Sequence, residues 1–366
     1  MNRGPASEID LSALQNNLKI IRRIGDDRTV IAVVKADAYG HGSVRISRKL
    51  LSEGISNLAV AFTEEAKILR EAGINSKILV LFDSSDIADF FAYDLIPVIY
   101  DTDTASALSK EAVKRNKKIH VHLKIDTGMG RTGFMAENSV SAAALISDME
   151  GIELVGVLSH FPEADSGDKS ASIRQIEVFN NIRIAIQAKT GRKLIAHMSN
   201  SAALLSLKAG LLDAVRPGLT LYGYSPFQES YGLIPLMKIK TKILALRKLP
   251  SGTSVGYGRS FITKRESKIA VVPVGYADGY NRLFSNNAEM LVRGGRAPVA
   301  GRICMDLTMI DVTEVDNVSV GDEVVILGQQ GGDMITAKEL SSRINTIPYE
   351  IITSLGSRAK KEYING

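Results

Sequence analysis

At 366 residues and 39.6 kDa, with 45% hydrophobic residues, the chain is long for one core, so a larger and a smaller domain are expected; no run reaches the roughly 18 apolar residues of a membrane span. The net charge of +5 comes from 45 basic residues dispersed among 40 acidic ones, with no basic stripe interleaved with aromatics, which excludes a nucleic-acid surface and suits a small anionic ligand. Cys304 is the one cysteine, which excludes an internal disulfide, and five scattered histidines give no metal-ligand spacing.

The chain begins with MNRGPASEID, which lacks the apolar core of a signal peptide, so a cytoplasmic location is expected. From Arg28 the sequence reads RTVIAVVKADAYGHG. Val30 to Val34 form an apolar, mostly β-branched run, as in a strand buried on both faces. Lys35 follows at once. Desolvation at such a strand end lowers an amine's pKa and makes it nucleophilic, so Lys35 is a candidate for Schiff-base chemistry; the alternative is a lysine that snorkels to solvent. Asp37, Tyr39, Gly40, His41 and Gly42 directly behind it favour a site, because α/β proteins place polar, glycine-rich loops there.

Further strands are expected at 57–61, 77–81, 95–99, 118–125, 151–159, 193–197 and 212–215, giving eight with 28–34. Helical periodicity lies between them. The stretch 102–116 carries Ala105, Leu108 and Ala112 on one face, and 168–190 repeats Ile173, Ile176, Phe179, Ile182 and Ile186 before Gly191. Eight strand–helix repeats over about 200 residues predict a (β/α)₈ barrel, with a doubly wound open sheet as the competing arrangement.

Near Pro235 the pattern changes, dividing a barrel domain, 1–235, from a mainly β domain, 236–366. Met237, Ile239, Thr241, Ile243 and Ala245 alternate with polar residues, as in a half-solvated antiparallel strand. Strands follow at 268–274, 289–300 with Gly294-Gly295 as its turn, 307–312 and 323–327. A helix after Thr336, with Glu339 completing a capping box, and another after Pro348 close the chain.

In a barrel, residues just after each strand share one mouth, where such enzymes place their sites. Lys35, the loop Asp126 to Arg131, His160, Ser199 to Ser201 and Arg216 to Gly218 are therefore expected to converge. The loops after strands seven and eight are the usual phosphate cradle of this architecture, and Ser201 with Gly218 suits it, although an N-cap serine and a turn glycine would read the same. A buried amine opposite a phosphate cradle points to pyridoxal 5′-phosphate.

Eight segments, VVKADAYGHG, KIDTGMGRTGF, HMSNSAALL, AVRPGLTLYGYSP, SVGYGRSF, VGYADGYNR, GRICMDLTMID and IPYEI, resemble in order the motifs of the alanine racemases, from about Ile9 to Ala359. The resemblance implies a pyridoxal-phosphate barrel followed by a β-rich domain, in a head-to-tail homodimer with shared active sites. It further implies that the chain interconverts L- and D-alanine, supplying D-alanine for peptidoglycan. By position, Lys35 would carry the cofactor and act as one catalytic base, and Tyr257 of the partner subunit as the other. Two bases are needed because a planar carbanion is reprotonated to either hand only if acids stand on both faces. A phenol with a reference pKa of about 10 needs help for that role, and the resemblance assigns it to His160 and Arg216. Arg216 would also contact the pyridine nitrogen.

Arg131 and the backbone N–H of Met305 resemble the groups that hold the substrate carboxylate. Tyr39, Ser201, Gly218, Leu219 and Tyr349 match the phosphate-binding set. Lys124 matches a lysine that is often carbamylated in the family, the plain alternative being an unmodified lysine pointing outward. Tyr276, with Cys304 and Asp306 near it, resembles a substrate-access position, where local packing is an equal alternative. Three rivals remain: a racemase of broader scope, on serine or lysine; a barrel-type decarboxylase of basic amino acids, which would lack Tyr257 in its GYGRS setting; and a cofactor-carrying binding protein, which would lack the second domain.

Overall fold

The computed structural model describes residues 4–83 and 85–366. Two compact units divide them. One holds Ala13–Ala38 and Ser43–Ile234; the other holds the chain up to Ser12, Tyr39–Gly42 and Pro235–Gly366.

The first unit is a closed parallel barrel. Its strands are Thr29–Val33, Asn57–Val60, Lys77–Val80, Ile96–Ile99, Ile119–Asp126, Ile152–Leu158, Ile195–His197 and Ala214–Val215. Each pairs in parallel with the next, and Ala214 and Val215 return to Thr29 and Val30. An open doubly wound sheet would leave two edges, so this last pairing decides for the barrel. Ile31, Ala32 and Val33 are at most 7% exposed because both faces of a barrel strand are covered, which is why this strand reads as an unbroken apolar run.

The outer helices follow their sequence signals. Asp101 accepts the Thr104 N–H and opens Thr102–Arg115, whose Ala105, Leu108 and Ala112 are buried. Ser170–Thr190 ends on Gly191 at φ 66 and buries Ile176, Phe179, Ile182 and Ile186. Ile173 is 46% exposed, contrary to the expected stripe. Steps of three residues slip by about 60° on a helix of 3.6 residues per turn, which carries Ile173 off the buried face.

The second unit is mainly β. One sheet runs in the order Gly295–Pro298, Glu289–Val292, Glu323–Gln330, Met237–Lys242, Ala6–Asp10, Lys360–Ile364, with Asp333–Ile335 added to Glu323–Gln330. Ala245–Leu249, Ser267–Val272 and Thr308–Asp311 form a second sheet, and Ser254–Val255 with Phe261–Ile262 a short ribbon. Three details differ from expectation. The strand from Met237 stops at Lys242, and Ala245 belongs to the second sheet. The hairpin turn is Arg293-Gly294, at φ 52 and 82, because a two-residue turn of this kind needs positive φ twice; Gly295 already pairs with Val292. Thr336 caps the Glu339 N–H, but the Glu339 carboxylate turns to Arg296 and Arg343, leaving half a capping box. Among the described residues no helix is long and apolar enough to cross a membrane.

Candidate active site

After its first strand the barrel does not continue into an ordinary loop. Ala36, Asp37, Ala38 and Tyr39 all take left-handed conformations at φ 52 to 54. Residues with a Cβ do so at a cost of about 1–2 kcal/mol each, so the turn depends on its partners. The Ala38 N–H donates to the Val34 carbonyl at 2.9 Å, and the Ala36 N–H donates to Glu65. Asp37 accepts the Ser43 N–H at 2.7 Å, capping the helix Ser43–Ser52.

The Lys35 amine that precedes this turn is held below its ordinary pKa by burial and then by Arg131, with Glu65 opposing. Its Nζ lies 5.7 Å from the centre of the Phe82 ring. Lys124 Nζ, at 5.1 Å, and the Arg131 guanidinium, at 5.0 Å, share the same ring. Lys124 is 3% exposed, donates to the Thr132 hydroxyl, and is not the outward-pointing lysine of the plain alternative. Burial, then Arg131 and Arg216, bring its pKa down to about 8. Three cations around one aromatic face form a place that favours an anion or a neutral amine. Asp126 shapes the loop that carries Arg131, accepting the N–H groups of Gly128, Met129 and Gly130 at 2.8 Å each.

Arg216, after the eighth strand, is buried and is engaged through both of its terminal nitrogens. It donates to the carbonyls of Ser159, His197 and Met198 at 2.6, 2.7 and 3.1 Å. It also meets Nδ1 of His197 at 2.6 Å and Nδ1 of His160 at 3.3 Å. A guanidinium only donates, so both nitrogens must be lone-pair acceptors. His197 therefore carries its proton on Nε2, which donates to Nδ1 of His122 at 2.8 Å and fixes that tautomer as well. Burial and the Arg216 charge keep all three imidazoles neutral. His122 falls to about 3, and His160 and His197 lie well below the ordinary value.

His122 and His197 escaped the sequence reading, since each lies within a strand. The available signal was the alternation in KIHVHLKI, where a histidine interrupts the inward-facing positions. Its second half is Gly156 on the neighbouring strand: a Cβ there would lie 2.3 Å from His122 Nδ1.

The Ser201 hydroxyl accepts the N–H groups of Gly218 and Thr220 at 3.1 and 3.2 Å and shares a hydrogen bond with the Thr220 hydroxyl. Leu219 is buried between them in the chain. Asn200 caps the helix Ser201–Ser206 through the Ala203 N–H. The barrel unit thus brings together Lys35, Lys124 and Arg131, joins Arg216 to His160, and joins Ser201 to Gly218.

The other predicted residues lie in the mainly β unit. Tyr39 and Tyr349 face each other with ring centres 6.0 Å apart. Tyr257 is 69% exposed on a turn between the two ribbon strands. Its neighbours Gly256 and Gly258 have φ 74 and 69, and a Cβ on either would come within 2.9 Å of the end of the Met309 or Arg302 side chain. Tyr276 and Met305 are exposed. The Tyr276 N–H donates to the Cys304 carbonyl and the Ala277 N–H to the Met305 carbonyl. Burial pushes the Cys304 thiol up, and Asp306 pairs with Arg358 at 3.2 Å.

The family model for the alanine racemase N-terminal domain matches residues 9–226, and that for the C-terminal domain matches 236–363. The chain belongs to the alanine racemase family. An alanine racemase of Thermodesulfovibrio yellowstonii is 47% identical, covering all of this chain and 99% of the relative. One from Halothermothrix orenii is 42% identical over 98% of this chain and 96% of its own. The crystal structure of an alanine racemase from a D-cycloserine-producing Streptomyces lavendulae superimposes with a TM-score of 0.95 at 32% identity, covering 100% of this chain and 98% of that one. As a member of the alanine racemase family the chain is an isomerase acting on amino acids, which sets aside the decarboxylase and the non-enzymatic binding protein.

Proposed function

We propose that this enzyme interconverts L- and D-alanine with pyridoxal 5′-phosphate, using Lys35 and the partner subunit's Tyr257 as bases on opposite faces, in a homodimer whose sites are shared. The relatives named above are alanine racemases, and the residues present fit the cofactor. Lys35 is an amine predisposed to lose its proton, Arg216 is a donor-only guanidinium, and Ser201 with the Gly218 and Thr220 N–H groups makes a hydroxyl–amide cradle suited to phosphate. Tyr39, Tyr349 and Leu219 complete that phosphate set. When bound, pyridoxal phosphate supplies the electron sink that acidifies Cα of an attached amino acid.

The chain's own groups then decide where protons go. Lys35, once neutral, takes or returns a proton on one face of the substrate, and Tyr257 of the partner subunit serves the other. Burial and then Arg131 bring the Arg216 pKa down to about 9, so it remains a guanidinium at neutral pH and holds a facing nitrogen by hydrogen bonding without protonating it. That keeps the electron sink weak and favours prompt return of the proton to Cα. Its bond to neutral His160 connects this anchor to the group that supports Tyr257. Arg131 and the partner subunit's Met305 N–H grip the substrate carboxylate, while Tyr276, Cys304 and Asp306 border the access route. Lys124, with a pKa near 8, has enough neutral amine to add to carbon dioxide, forming an N–C bond and releasing a proton; the carbamate would then pair with Arg131. The D-alanine formed would serve peptidoglycan synthesis.

The observation that carries this reading is the half-buried, pKa-depressed Lys35 directly after the first strand of a closed barrel that also holds buried Arg216. The test is solvent-deuterium incorporation at Cα of each alanine enantiomer. Lys35→Ala should abolish covalent cofactor capture and all exchange. Tyr257→Phe should keep the cofactor and lose exchange for one enantiomer by a factor of about 10²–10⁴. Two-way interconversion by Tyr257→Phe would overturn the assignment, and comparable turnover of serine or lysine would widen the substrate class.

A further inference from the structure

We propose that Glu65 is a positioning residue for Lys35, a carboxylate that fastens the left-handed turn behind Lys35 to the end of the second barrel strand. Its functional meaning rests on the reading of Lys35 as the cofactor-bearing amine. Glu65 is the third residue of the helix Thr63–Glu71, where a carboxylate ordinarily caps its own helix start. One oxygen does so. Oε2 accepts the N–H groups of Ala61 at 2.7 Å and Phe62 at 3.2 Å. The other leaves its own element: Oε1 accepts the N–H of Ala36, 29 residues earlier, at 2.5 Å.

That amide belongs to the first left-handed residue after Lys35, and Ala36 is exposed, so water competes for it. Four consecutive left-handed residues with side chains are not held by conformational preference. The Ala38–Val34 bond closes the turn on itself, whereas the Glu65–Ala36 bond ties it to another strand. A bond from a charged carboxylate to a backbone N–H is stronger than a neutral one. The same carboxylate is the counter-charge to an amine otherwise faced by Arg131, by Lys124 across Phe82, and by His160. It therefore fixes the backbone from which Lys35 projects and limits how far the amine's proton affinity falls.

Glu65→Gln separates these roles. The glutamine carbonyl can still accept from Ala61 and Phe62, a normal capping arrangement. Its NH₂ would then face the Ala36 N–H, donor against donor. In the apoprotein, the Ala36 amide should exchange with solvent about tenfold faster, as expected for one lost hydrogen bond. The midpoint of pH-dependent acetylation of Lys35 by acetic anhydride, read by peptide mass spectrometry, should move to lower pH. Glu65→Asp keeps the charge but is one methylene too short to span both partners, so it should accelerate Ala36 exchange and leave the acetylation midpoint in place. Unchanged Ala36 exchange in both variants, or an unmoved midpoint in Glu65→Gln, overturns the proposal. Failure of the Lys35 reading shows separately, as covalent cofactor capture that survives Lys35→Ala.

Discussion

Lys124 places an ammonium where burial and two arginines oppose its charge, and the sign of the effect on stability follows. Its folded pKa, about 8, lies below the ordinary lysine value of 10.5. Between those values the unfolded chain binds more protons than the folded one, so stability rises with pH across that window. The gain is at most about 3 kcal/mol. In buffers stripped of carbon dioxide, denaturant midpoints of the apoprotein from pH 7 to 10.5 should climb more steeply for the wild type than for Lys124→Met; parallel curves would count against a buried ammonium. Adding ¹³C-bicarbonate gives the complementary readout, a carbamate resonance present in the wild type and missing from Lys124→Met. At this scale the sequence was legible in placement: Lys35, Arg131, His160 and Arg216 were expected just after strand ends, and they lie there in the structure. His122, His197 and Glu65 were not. The two histidines lie inside strands 75 residues apart, and only barrel closure makes them one hydrogen-bonded chain. Glu65 reads as an ordinary helix cap because its second bond reaches another element.

Among elements, the fifth and sixth barrel strands are matched through one missing side chain. Gly156 leaves room for the His122 ring, so Gly156→Ala should force the ring out of line with His197 and destabilise the protein by about 1–3 kcal/mol, the cost of overpacking. Chemical denaturation of Gly156→Ala, His122→Ala and the double variant forms a cycle. The penalty of the added methyl should shrink to a few tenths of a kcal/mol once the ring is gone. An equal penalty in both backgrounds would mean the glycine serves some other purpose. All eight barrel strands were visible as mainly apolar runs because burial on both faces leaves few polar interruptions, His122 and Lys124 in the fifth strand being exceptions. Ala6–Asp10 and Lys360–Ile364 were missed for the opposite reason: ASEID and KKEYI are half-solvated and carry too few apolar residues to show alternation. The turn at Arg293-Gly294 was misplaced by one residue because two adjacent glycines are equally able to take positive φ.

For the molecule as a whole, the sharpest question is whether one chain can work alone. Lys35 lies in the barrel unit and Tyr257 in the mainly β unit, exposed on its turn. If each site draws Tyr257 from the partner subunit, Lys35→Ala and Tyr257→Phe chains, inactive apart, should regain activity when dissociated, mixed and reassociated, with one intact site in each heterodimer. Absence of any recovery, with mixed dimers demonstrated by mass, would refute shared sites. Ala6–Asp10 bears on the same scale differently. It lies inside its sheet, antiparallel to Met237–Lys242 and parallel to Lys360–Ile364. Neither neighbour has been synthesised when the segment leaves the ribosome. Roughly 230 residues must follow before the nearer one emerges, which at about 5–20 residues per second is on the order of ten to fifty seconds. The nascent chain thus carries an unpaired ribbon through most of translation, and a chaperone that shields extended segments would find its target in the first dozen residues.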